Sequence, residues 1–116
     1  MIIRFDSNEL LEFFESEPVS IAGVETGILF YSWSDNRGFS VLLSMDVYAQ
    51  RVSIGFSYQN IEIISCGENQ VDKVCVQGDI LHVIKKSVSV VRIRLANGPW
   101  MSIHETIIFW TSGFQR

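Results

Sequence analysis

The sequence predicts a mainly β domain: an antiparallel β-sandwich or barrel of about eight strands carrying one short N-terminal α-helix. Three observations lead there. The run "VSIGFSY" (52–58) alternates Val52, Ile54, Phe56 and Tyr58 with Ser53, Gly55 and Ser57, the period of a half-buried strand. Comparable runs recur along the chain, separated by short turn clusters such as "SDNRG" and "ANGP". The one segment with helical spacing lies at the start. With 116 residues and two prolines, the chain reads as a single domain, 1–116, long enough to bury a core without staples.

The elements follow in order. Asp6 is a good helix N-cap, and Glu9 three residues on completes a capping-box pattern. Phe5 and Leu10 are placed to form a hydrophobic staple. Leu10, Leu11, Phe13 and Phe14 make one apolar stripe, with Glu9, Glu12 and Glu15 on the other side. Pro18 ends a helix of about three turns, because the residue before a proline is pushed out of helical geometry. "ILFYSWS" then sets Leu29, Tyr31 and Trp33 on one strand face. "FSVLLSM" sets Phe39, Val41, Leu43 and Met45 inward. "IEIISC" and "VDKVCV" around "GENQ" read as a hairpin. "ILHVI", "VSVVRIRL" and a strand over 100–110 complete the set.

Composition narrows the function. Only 19% of residues are charged and 47% are hydrophobic, which suits a folded globular chain. The net charge of −4 argues against a dedicated nucleic-acid binder. That charge is uneven. Residues 1–36 hold seven acids against Arg4 alone, a net −6, while the remainder is +2. An acidic third attracts a cationic partner, or else keeps a solvated face soluble. The start lacks the basic and apolar regions of a signal peptide, and no run approaches the ~18 unbroken apolar residues of a membrane span. A cytoplasmic location is expected.

Candidate chemistry is sparse. On a strand over 100–110, His104 and Glu105 point to opposite faces and cannot form an acid/base pair. Glu105 shares its face with Met101, Ile103, Ile107 and Phe109, so a bulge or edge must bring it to water, unless it is a functional buried carboxylate. His82, between Leu81 and Val83, reads as structural. No HExxH, CxxC, GxGxxG, GxSxG or P-loop pattern occurs. No metal or cofactor is expected. In the expected hairpin register Cys66 and Cys75 are too far apart for a disulfide, which fits a reducing compartment. Lys85, Lys86, Arg92 and Arg94 form the basic cluster, read as a solvated outer face or a salt-bridge ladder. Tyr31 and Trp33 precede an acidic tip at Asp35; both suit a core, and both suit a contact surface.

In this small, acidic, mostly β character, and in segments such as "SCGENQVDKV" and "NGPWMSIHETIIFW", the chain resembles bacterial toxin-immunity proteins. More narrowly, it resembles immunity proteins of contact-dependent growth inhibition systems. The likeness spans the whole chain in size and character and has no diagnostic motif, so no functional residue transfers by position. It implies a protein that is not an enzyme. Such a protein binds the C-terminal toxin domain, commonly a nuclease, delivered by a neighbouring cell, and covers its active site or an adjacent surface. A phosphate-gripping cleft is basic, so carboxylates can compete for it. Glu9, Glu12, Glu15 and Glu17 would supply the field, and Tyr31, Trp33 and Asp35 the anchor. The "GENQ" tip with Glu68 and Asp72 is a rival surface. Direct nucleic-acid or membrane contact is not expected, and the oligomeric state stays open. The alternatives are a small-ligand-binding barrel or minor enzyme using His82, His104 or Glu105, and a structural adaptor with apolar strand edges.

Overall fold

The computed structural model describes residues 1–20, 26–96 and 98–104, together with the backbone of residues 106–110. After an N-terminal segment comes α1 (Ser7–Phe14), then ten strands among the described residues. β1 (Val19–Ser20), β2 (Ile28–Ser34), β3 (Phe39–Asp46), β4 (Arg51–Tyr58) and β5 (Ile61–Glu68) form the first sheet in that order. β6 (Lys73–Gln77), β7 (Ile80–Lys85), β8 (Val88–Arg94), β9 (Trp100–Ile103) and β10 (Thr106–Trp110) form the second. Every pairing is antiparallel between chain neighbours, so each sheet is a meander. The mainly β class with one short helix is therefore the observed one, and the sheets share a single buried cluster.

Alternation sets the register. In the first sheet Tyr31, Leu43, Ile54 and Cys66 stand in one cross-strand row, and Trp33, Val41, Phe56 and Ile64 in the next. In the second, Leu81, Ile93 and Met101 form a row beside Val83, Val91 and Ile103. A one-residue slip would turn each row out to water, so burial of one face holds the pairing.

α1 packs against β2 and β6 and so bridges the two sheets. The Asp6 carboxylate accepts the N–H groups of Asn8 (2.9 Å) and Glu9 (3.4 Å), as its capping position predicts. Leu10 and Phe14 are buried, and the Phe14 ring stacks on Tyr31 at 5.4 Å. Burying an aromatic ring of this size stabilises by about 2–3 kcal/mol. Ahead of the helix, the Ile3 N–H donates to Val47 O, and Arg4 bridges Lys73 in parallel along the β6 edge.

Four expectations are corrected. β5 and β6 are not a hairpin: β5 ends the first sheet and β6 begins the second. Gln50 holds the crossing segment, its carbonyl accepting the Val71 N–H (2.9 Å) and its Nε2 donating to Val71 O (3.0 Å). The expected strand over 100–110 is two strands, β9 and β10, folded back at His104, whose φ is +51°. The helix has eight residues, about two turns, because Glu15 adopts a left-handed conformation (φ 58°) before Pro18 is reached. Tyr58 is exposed at the sandwich rim, tilted against Phe39 at 4.8 Å, because the sheet runs past the core there.

Candidate partner-binding surface

The seven residues expected to meet a partner fall into different environments. Glu12, Glu15 and Glu17 are exposed along α1 and just beyond it. Glu9 is half-buried, and its Oε1 accepts the backbone N–H of Val76 in β6 at 3.2 Å. It is thus a tether between helix and sheet. The reason is topological: α1 lies across the β6 edge, whose outward N–H groups need acceptors.

Tyr31 is wholly buried (0% exposed) beneath Phe14, so it offers no surface, and the anchor role expected of it gives way to core packing. Its hydroxyl has no hydrogen-bond partner among the described residues. Burial, reinforced by the Glu17 charge, raises its pKa. Asp35 is also committed. One oxygen accepts the N–H groups of Arg37 and Phe39, each at 3.0 Å, and the other pairs with the Arg37 guanidinium at 2.9 Å. It organises the β2–β3 turn, where the sequence places a turn cluster, and its charge is matched locally by Arg37. Trp33 is half-buried next to that turn.

The rival surface is likewise engaged. Glu68 is only 12% exposed, with Lys85 Nζ at 3.3 Å and His104 Nε2 at 3.4 Å. It links the end of β5 to the second sheet. Asp72 Oδ2 accepts the Lys86 N–H at 2.6 Å. His104 thus meets Glu68; Glu105, whose role the sequence left open, lies outside the described residues.

Of the groups invoked for small-ligand chemistry, His82 and His104 meet different partners. His82 is on the face opposite Leu81 and Val83, with Nδ1 2.8 Å from the Ser89 hydroxyl. Burial first, and the Arg92 charge second, lower its pKa below 6.5. Cys66 and Cys75 are free thiols. Burial, with help from Glu68, pushes Cys66 up to about 11, and burial also raises Cys75. Neither is poised as a nucleophile. Among the described residues, no group of three or more His, Cys, Asp or Glu could hold a metal ion, and no helix is long and apolar enough to cross a membrane.

One surface feature escaped sequence reasoning. An open cleft of about 420 Å³ lies between α1 and the β6–β7 turn. Phe13, Val76 and Leu95 supply its apolar part, and Glu12, Glu15 and Asp79 its carboxylates. Asp79 was visible in the sequence only as half of a "GD" turn; nothing local places that turn beside the helix.

No family model matches the chain, and neither does any curated protein. A solved structure does match in fold. It is a chain of a "Contact-dependent growth inhibition toxin - immunity protein complex from Klebsiella pneumoniae 342". The fold is shared end to end: 96% of this chain and 98% of that one are covered, with a TM-score of 0.66 and 22% sequence identity. At that identity the likeness is one of architecture.

Proposed function

We propose that this is an immunity protein of contact-dependent growth inhibition, which binds the C-terminal domain of a cognate toxin and neutralises it by stoichiometric contact. The observation that carries the reading is the full-length fold shared with a chain of a toxin–immunity complex. The chemistry of the surface supports it. Glu12, Glu15 and Glu17 are exposed and enter none of the ion pairs among the described residues, whereas Glu9, Asp35, Glu68 and Asp72 are tied down internally. A nuclease whose cleft grips phosphates is the expected toxin, and such a cleft is attracted to an exposed carboxylate ridge. The partner surface is thus Glu12, Glu15 and Glu17 with the exposed edge of Trp33. The cytoplasm is where an inhibitor would intercept a nuclease.

Two experiments test this. Cells expressing the toxin domain encoded immediately upstream should survive when this chain is co-expressed and die without it; death in both cases refutes the proposal. Reversing Glu12 and Glu15 to lysine should slow association about tenfold at low salt and flatten its ionic-strength dependence. Unaltered kinetics would move the interface off α1.

A further inference from the structure

We propose that the cleft between α1 and the β6–β7 turn receives one arginine side chain of the protein partner. The inference rests on the immunity reading and adds the chemistry of its contact. The apolar part comes from three separate elements: Phe13 on α1, Val76 on β6, and Leu95 just after β8. Phe13 and Val76 are half-buried and retain accessible apolar surface, enough to cover an aliphatic stem. The carboxylates come from two directions, Glu12 and Glu15 from the helix and Asp79 from the β6–β7 turn. Gly78, with φ +65°, makes that tight turn and leaves Asp79 exposed.

Charge decides what fits. The described residues lining the cleft include no lysine or arginine, and none of the ion pairs among the described residues involves Glu12, Glu15 or Asp79. Three like charges around an apolar hollow repel one another, and a cationic occupant relieves that repulsion. Glu9 completes the lining, but its Oε1 is held by the Val76 N–H, so it contributes field more than contact. Arginine suits this cleft better than lysine. Its planar guanidinium can lie on the Phe13 ring while its donor fork meets carboxylates from two directions; an ammonium is a strongly hydrated point charge.

The test titrates the full-length ¹⁵N-labelled protein with acetyl-Gly-Arg-Gly-amide. Amide shifts should concentrate at Phe13, Val76, Asp79 and Leu95, and the lysine analogue should bind several-fold more weakly. Glu12→Gln with Asp79→Asn should abolish these shifts while the rest of the spectrum stays native. Shifts spread over other surfaces, equal response to lysine, or persistence in the double variant would each overturn the cleft assignment. The toxin domain supplies the second arm. There the double variant should bind about tenfold more weakly than the wild type. A wild type that binds no toxin refutes the immunity reading, and the peptide titration still judges the cleft. A wild type and a double variant that bind toxin equally refute the cleft alone.

Discussion

Glu9 Oε1 accepts the backbone N–H of Val76 at 3.2 Å, so a helix carboxylate closes the edge of a strand 67 residues further along the chain. Arg4 serves the same edge, its carbonyl accepting the Val74 N–H at 3.0 Å. The N-terminal segment therefore satisfies a strand edge that would otherwise present open donors to other chains. Glu9→Ala should lower stability by about 1–3 kcal/mol, because a partly buried donor loses its acceptor. Glu9→Gln keeps a carbonyl acceptor and should cost less. Urea denaturation of the three proteins checks the order; equal midpoints would show that the tether contributes nothing.

Tyr31 buries a hydroxyl that finds no partner among the described residues. Replacing it with phenylalanine removes an unsatisfied polar group and keeps the stack on Phe14. Tyr31→Phe should therefore be neutral or stabilising by about 1 kcal/mol, and toxin affinity should not change. A loss of affinity with stability intact would restore Tyr31 as a contact residue.

The β7–β8 turn places Lys86 and Ser87 at φ +51° and +66°, the geometry of a type I′ hairpin in which glycine is favoured. Ser87→Gly should stabilise by about 0.5–1 kcal/mol by removing the left-handed penalty of a side chain. Thermal unfolding would show this as a rise in Tm; a fall would mean that the serine side chain makes a compensating contact.

Burial lowers the pKa of His82, and the nearby Arg92 charge adds to the effect. Its pKa is depressed on folding, so below about pH 6.5 the unfolded chain takes up the proton more readily than the folded one. The contribution of His82 is therefore fully present above that pH and is lost as pH falls toward the folded pKa. His82→Gln should flatten this part of the stability profile relative to the wild type. Parallel profiles would show that the histidine does not titrate differently in the two states.

The strands and their faces were legible wherever one face is buried and neighbours in sequence pair. β4 carries strict alternation and β3 departs from it only at Leu42, and the structure keeps Val41, Leu43, Val52, Ile54 and Phe56 inside. The Asp6 cap was legible because capping is a local hydrogen-bond problem. The β5–β6 connection was not, because "GENQ" followed by an apolar run looks the same whether the chain folds back or crosses to a second sheet. The fold-back at His104 was hidden for a related reason: a histidine carries the left-handed turn, with no glycine or proline to mark it. The candidate surface was half legible. Charge counting found the carboxylates of α1, but which stay free depends on tertiary partners. Only the fold brings Glu9 to Val76, or Asp79 to the helix.

The proposed inhibition by contact is tested by titrating toxin activity against this protein. Activity should fall linearly with added protein and vanish at one equivalent, with a 1:1 complex by sedimentation. Silencing of the toxin by far less than one equivalent, with the toxin recovered in altered covalent form, would contradict it.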